Sequence, residues 1–233
     1  LINFKDFSIP DSKLRSVGDT RFDRVYQKSQ AAKEKKLFRE NFFSGKKVFV
    51  AGSSWESDEE VYLPAFLKLM KYEPELVLIL VPHEPTISRL EKLENYFSGK
   101  TSTIRFSYLN NYNNESVIIV DSIGILLTLY YYADVAYVGG SFKQGIHNVL
   151  EPAVYGIPVI FGPKIENSQE AQKLVKIGGA KLINNKNEIY KHLRLLLGNN
   201  ELRRKIGKIS LEYVIHNIGA TDKIIKEIKS ISN

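Results

Sequence analysis

Residues 134–163 read DVAYVGGSFKQGIHNVLEPAVYGIPVIFGP, and the order of residue types along them decides the fold. Val135-Ala136-Tyr137-Val138 has the character of a short buried strand, and Pro158-Val159-Ile160-Phe161 repeats it after a gap long enough for a helix. Between them, Gly139 and Gly140 allow a sharp turn and close approach of the backbone to a ligand. The following helix is predicted to begin near His147 or Asn148. The first N–H groups of a helix have no partners within it and its dipole favours an anion, so a phosphate at this start would be held by the backbone. Pro152 falls in or just beyond the first turn, where it costs at most one helical bond. The combination suits a phosphorylated sugar nucleotide.

Glu151 has two readings. A carboxylate can accept hydrogen bonds from both ribose hydroxyls while the phosphate sits a few ångströms away on backbone donors. Alternatively, with Asn148 as N-cap, Glu151 falls at the third helical position and stabilises the helix as in a capping box. The residues leave both open.

The same rhythm extends towards the N-terminus. Lys47-Val48-Phe49-Val50-Ala51, Leu76-Val77-Leu78-Ile79-Leu80-Val81 and Val117-Ile118-Ile119-Val120 are further short apolar runs, each followed by enough chain for a helix. Apolar character that is continuous rather than alternating implies strands buried on both faces, hence a doubly wound α/β domain with a parallel sheet. Ligands of such sheets bind outside the carboxyl ends of the strands. The loops there are polar and glycine-rich: Gly52-Ser53-Ser54-Trp55, Pro82-His83-Glu84-Pro85, Asp121-Ser122-Ile123-Gly124, Gly139-Gly140-Ser141 and Gly162-Pro163. Five on one edge make a site.

Residues 1–44 read as a connector and a long charged helix, patterned from Phe22 through Phe38, that belong with a preceding domain, and residues 45–233 as the Rossmann-like domain. From Asn199 onward the chain reads as two helices with core-packing stripes, Leu202, Ile206, Ile209 and Tyr213 on the first and Ile224, Ile228 and Ile231 on the second.

The 233 residues, 43% hydrophobic and 25% charged, are enough for a sizeable core. Absence of cysteine excludes disulfides and thiolate metal sites, and the four histidines, His83, His147, His192 and His216, lack metal-ligand spacing; no metal is expected. No apolar run approaches the roughly 20 residues of a membrane span, so the chain as given is expected to be soluble. The abrupt start at Leu1 suggests a fragment. The net charge is +7, and ten Lys or Arg face five Asp or Glu between Lys186 and Lys229. That basic tail either keeps a solvated helix soluble or meets an anionic membrane or substrate. Nucleic acid is not expected: no recognition-helix motif or interleaved aromatic pattern is present. P-loop, GxSxG and HExxH motifs are missing as well.

Along most of its length the chain resembles the C-terminal half of the 3-deoxy-D-manno-octulosonic acid (Kdo) transferases of lipopolysaccharide synthesis. The resemblance is carried by Gly18-Asp19-Thr20-Arg21-Phe22-Asp23-Arg24-Val25, Ala51-Gly52-Ser53-Ser54, Pro82-His83-Glu84, Asp121-Ser122-Ile123-Gly124 and the block of residues 139–163 with its His147-Asn148 and Glu151. It implies the donor domain of an inverting GT-B glycosyltransferase, with CMP-Kdo as donor and no further cofactor. It also implies a lipid A precursor as acceptor at the cytoplasmic face of the inner membrane. The general base, the acceptor site and a membrane-associating segment would then lie in an N-terminal half, and the isolated chain would not complete transfer. His83 stands where familiar members have arginine, and Ile125 where they have an acid. These features look most like a branch from Bacteroidetes-type bacteria.

On this reading the donor is held by Gly52, Ser53, Ser54, His83, Glu84, Ser122, Ile123, Gly124, Gly139, Gly140, Ser141, Gly145, His147, Asn148 and Glu151, with Asn167 and Glu170 reaching the sugar. The N–H groups around Gly140 and Ser141 and a protonated His147 would meet the phosphate. Two other readings remain: a GT-B enzyme using a UDP- or GDP-sugar, and a non-catalytic module binding anions or nucleic acid through the basic tail.

Overall fold

The structure is a computed structural model describing residues 9–231. The opening of the connector, residues 1–8, and the side chain of Ile231 lie outside the described residues. Seven strands form one sheet: β1 (Lys47–Ser54), β2 (Leu76–Pro82), β3 (Thr103–Arg105), β4 (Val117–Ile119), β5 (Val135–Val138), β6 (Val159–Phe161) and β7 (Ala180–Leu182). Their order is β3-β4-β2-β1-β5-β6-β7, and all six pairings are parallel. The expected doubly wound α/β class is the observed one.

Period-two alternation explains why the strand runs are apolar throughout. Val48 and Val50 of β1 enter one core cluster while Phe49 and Ala51 enter the other, on the opposite face of the sheet. The sequence reading missed β3 and β7. Both are three-residue edge strands of mixed burial, so neither carries a continuous apolar signature.

Among the described residues the helices are α1 (Thr20–Lys33), α2 (Glu56–Met70), α3 (Ile87–Phe97), α4 (Leu126–Tyr130), α5 (Leu150–Ala153), α6 (Gln169–Ile177), α7 (Lys186–Gly198), α8 (Asn200–Ile215) and α9 (Ala220–Ile231). The first ends at Lys33, short of the predicted Phe38. Phe38 is instead held by tertiary packing, with ring centroids 4.7 Å from Phe43 and 4.9 Å from Phe42 and Tyr132.

Residues 18–25 are a structural clasp. Asp19 caps α1 by accepting from the Arg21 backbone N–H at 2.8 Å. Phe22 and Val25 are buried in the core, and Phe22 meets Tyr213 of α8 edge-on at 5.4 Å. Asp23 accepts from the Gly219 N–H and, at 3.1 Å, from both the N–H and hydroxyl of Thr221. One carboxylate thereby satisfies donors at the start of α9, so α1 shares this domain's core.

The tail corrects one expectation. Ile206 is buried as predicted, but on α9 Ile228 is 58% exposed and Ile224 only half-buried. That helix is anchored at its first turn by Asp23 and buried Ala220, and its later turns carry more solvent exposure.

Candidate functional site

Strand β1 is the point where sheet order reverses: β2 lies on one side and β5 on the other. The crevice outside the carboxyl ends of β1 and β5 is therefore the topological switch point, the place where open α/β sheets bind ligands. The loops meeting there carry Ser53 and Gly139-Gly140. Ser53 adopts φ 52°, a left-handed conformation uncommon for a residue with a side chain. Gly140 adopts φ 92°, and a Cβ added to it would lie 2.4 Å from the Gly145 carbonyl oxygen. Only glycine fits this turn.

The turn is braced from beneath by a residue the sequence reading missed. Asp58, on α2 and fully buried, accepts from the Gly140 N–H at 2.8 Å, the Trp55 N–H at 3.0 Å and the Tyr137 hydroxyl at 2.8 Å. Burial pushes its carboxyl above the ordinary aspartate value, against the lowering effect of the three hydrogen bonds. The Gly140 N–H expected to meet phosphate is thus already occupied. The available signal was an acid at the third position of α2, from which its carboxylate can reach back to the N-cap backbone N–H.

Two predicted serines also face inward. The Ser54 hydroxyl lies 3.0 Å from Glu59 and 2.8 Å from the Tyr62 hydroxyl, in a buried network closed by an Arg89–Glu59 ion pair. Ser141 is buried, with its Oγ accepting from the Gly162 N–H at 2.6 Å. Gly52 is covered by the Tyr130 ring. These three shape the site without lining it.

The residues that do line it enclose two adjoining clefts of about 560 and 490 Å³. Ser53 and Gly124 border the first, Asn167 and Glu170 the second, and His147, Asn148 and Glu151 both. Ile123 projects into solvent, 85% exposed. His83 and Glu84 are exposed beside a smaller recess shared with Trp55. Ser122 is half-buried in the loop that brings Gly124 to the cleft.

The predicted helix start moves by two to three residues. α5 begins at Leu150 and has four residues, so its dipole is too short to carry the expected phosphate argument. Asn148 Oδ1 accepts from the Leu150 N–H at 3.1 Å, and its Nδ2 donates to Glu151 Oε1 at 3.2 Å. Glu151 accepts no backbone N–H among the described residues, so the capping-box reading fails. Its second carboxylate oxygen has no hydrogen-bond partner among those residues. Burial raises the Glu151 pKa, with Asn148 and then Lys28 opposing.

Cations come from α1, which sequence reading did not connect to the site. Arg24 and Lys28 lie one turn apart on one face of the helix, Lys35 follows just past its end, and Lys28 borders both clefts. Neither Arg24 nor Lys28 forms an ion pair among the described residues. Arg21, by contrast, bridges Asp19 at 2.6 Å and Glu170. Glu170 is buried and also accepts from Ser168 Oγ at 2.8 Å, so the oxygens expected to reach a sugar are engaged. Ser168, not Asn167, caps α6; Asn167 packs over Gly145 and donates to the Ile146 carbonyl at 3.2 Å.

His147 also differs from expectation. Its Nε2 accepts from Trp55 Nε1 at 3.0 Å, and the His83 ring stacks 4.6 Å away. Burial and then His83 lower its pKa, so the ligand-free ring is neutral rather than protonated near neutral pH. Among the described residues no group of histidine and carboxylate side chains is placed to hold a metal ion, and no helix is long and apolar enough to cross a membrane.

No protein-family model matches the chain. It is 29% identical over 227 residues to the 3-deoxy-D-manno-octulosonic acid transferase of Haemophilus influenzae, covering 94% of this chain and 52% of that one. The enzyme of that name from Chlamydia pneumoniae is 30% identical over 238 residues, covering 97% and 52%. The chain thus spans about half the length of these relatives. In structure it superposes on the C-terminal CMP-Kdo binding domain of WaaA from Acinetobacter baumannii with TM-score 0.69 and 21% identity, over 82% of this chain and 98% of that domain.

Proposed function

For a chain that is a relative of the 3-deoxy-D-manno-octulosonic acid transferases along most of its length, we propose the role of donor domain, binding CMP-Kdo in the cleft at the switch point. The observation that carries the proposal is Glu151: a carboxylate on the cleft wall, partly shielded from water, with one oxygen unpartnered and no capping duty. A ribose diol supplies the donors it lacks. Arg24 and Lys28 across the cleft supply charge for the phosphate, the part first assigned to the glycine turn. In the whole protein an acceptor hydroxyl, on a lipid A precursor, attacks the anomeric carbon with inversion. The carbon–phosphate oxygen bond breaks towards CMP and the hydroxyl proton passes to a base outside this domain. Charge then grows on the CMP phosphate, and pre-oriented donors gain strength at that moment.

Glu151→Gln provides the test. CMP affinity is expected to fall by about 1–3 kcal/mol, the range for a lost charge-assisted hydrogen bond. The sign of the pKa shift separates this from a structural role. Because the folded-state pKa is raised, ionisation of Glu151 costs folding stability as pH rises through that pKa, so removing the charge should leave the melting temperature at neutral pH unchanged or higher. Calorimetry with CMP, UMP, UDP and GDP, with thermal melts alongside, reads both. Unchanged CMP affinity with a lower melting temperature would refute the ribose assignment, and preference for UDP or GDP would refute the donor.

We place the whole protein at the cytoplasmic face of the inner membrane, with the basic face of α8 and α9 against anionic lipid. Sedimentation with phosphatidylglycerol vesicles should show binding that weakens as salt is raised. Binding equal to that on neutral vesicles would remove the electrostatic contact.

A further inference from the structure

We propose that Trp55 is a positioning residue that locks His147 in its Nδ1–H tautomer and so presents a fixed, uncharged N–H donor to the phosphate of the bound nucleotide. The proposal rests on the donor-site reading above.

The indole Nε1–H can only donate. It lies 3.0 Å from His147 Nε2, with the two ring planes within 8° of each other. Nε2 must therefore offer a lone pair. A neutral imidazole whose Nε2 is the acceptor carries its proton on Nδ1, and an imidazolium, a donor at both nitrogens, would forfeit the contact. The ring's placement agrees. Its Cδ2–Nε2 edge lies over the glycine turn, 2.9 and 3.1 Å from where a Gly140 Cβ would sit. Nδ1 is on the other side of the ring and has no hydrogen-bond partner among the described residues, while His147 borders both parts of the cleft.

The arrangement is held on several sides. The His83 ring stacks on Trp55 at 4.4 Å and on His147 at 4.6 Å, and the Trp55 backbone N–H is tied to Asp58. Of the charged or titratable groups, His83 from the loop after β2 stacks on the imidazole, Asp58 on α2 holds the turn beneath it, and Lys28 on α1 and Glu151 on α5 share both clefts with it. Burial, and then the neighbouring His83 ring, disfavour a charge on His147. A donor whose proton position is set in advance needs no tautomer exchange as charge develops on the leaving phosphate.

Nitrogen-15 NMR of the imidazoles and a double-mutant cycle test this on the same chain. Wild-type His147 should show a protonated Nδ1. Trp55→Phe retains a ring over His83 but removes the N–H, and should give a mixture of tautomers with CMP affinity about five- to tenfold weaker. In a His147→Asn background the side-chain amide occupies the Nδ1 position and has no tautomers, so Trp55→Phe should cost nothing further. A wild-type Nε2–H signal overturns the proposal. So does an equal loss from Trp55→Phe in both backgrounds, which would mean that Trp55 touches the ligand itself. If wild type binds CMP but the cycle is uncoupled, the proposal alone falls. If wild type binds none of CMP, UMP and UDP, the donor reading falls and takes this proposal with it.

Discussion

Gly140→Val is expected to remove measurable CMP binding. At φ 92° a β-branched residue is strained, and its Cβ would stand 2.4 Å from the Gly145 carbonyl oxygen and 2.9 Å from His147 Cδ2. Neither contact can persist, so the loop of residues 145–148 must move and carry His147 and Asn148 out of register with Glu151. The Gly140 N–H would also leave Asp58, and a buried carboxylate that loses one of three donors adds its own penalty. Together these effects should cost several kcal/mol of stability, seen as a lower melting temperature. Calorimetry with CMP on variant that remains folded by near-ultraviolet circular dichroism is the measurement. A folded Gly140→Val protein with wild-type affinity would take the glycine turn out of the site. Gly140→Ala, smaller but at the same φ, should show the same two losses in milder form.

The second large effect concerns Asp58. Asp58→Ala leaves two backbone N–H groups and the Tyr137 hydroxyl without their acceptor in a fully buried place. At about 1–3 kcal/mol for each buried unsatisfied group, partly relieved by relaxation, the cost should be about 3–5 kcal/mol. For a chain of this size that lowers the melting temperature by roughly 10 °C. Asp58→Asn should be far milder. Its amide oxygen can still accept from the Trp55 and Gly140 N–H groups, and the Tyr137 hydroxyl can rotate to accept from the amide nitrogen. The variant also removes a titration. Because burial raises the folded-state pKa of Asp58, the wild-type carboxyl contributes stability that is fully present below the ordinary unfolded aspartate value and is lost as pH rises through the folded value. The stability difference between wild type and Asp58→Asn should therefore narrow from acid to neutral pH. Denaturant melts across that window read the difference directly. Equal destabilisation by Ala and Asn would show that the three hydrogen bonds do not brace the turn.

Both variants bear on one piece of chemistry. The glycine turn, Asp58, Trp55 and His147 form a single connected set, in which a buried carboxylate fixes the backbone that the imidazole rests on. Glu151, Arg24 and Lys28 line the cleft itself. Damage to the first set should lower stability and affinity together, whereas Glu151→Gln should lower affinity alone.

The fold was legible in the residues because burial of a sheet on both faces is a local property. Leu76–Pro82 and Val135–Val138 cannot alternate polar and apolar residues when helices cover both sides, so the run itself reports the architecture. The loops after those runs pointed to the edge that bears the clefts for the same reason, and His147, Asn148 and Glu151 line both of them. What only the tertiary structure decided is where each polar side chain spends its hydrogen bonds. Ser54 and Ser141 have the residue type of a binding loop, yet Glu59 with Tyr62 and the Gly162 N–H engage them inside the fold. Glu170 stands at a helix entrance, but Arg21, 149 positions earlier, takes it. Asp58 and the cations of α1 lie far in sequence from the loops they serve, and no periodicity links them. A strand announces itself through its neighbours in the chain, whereas a hydrogen bond between Gly140 and Asp58 exists only once β1, α2 and β5 have packed.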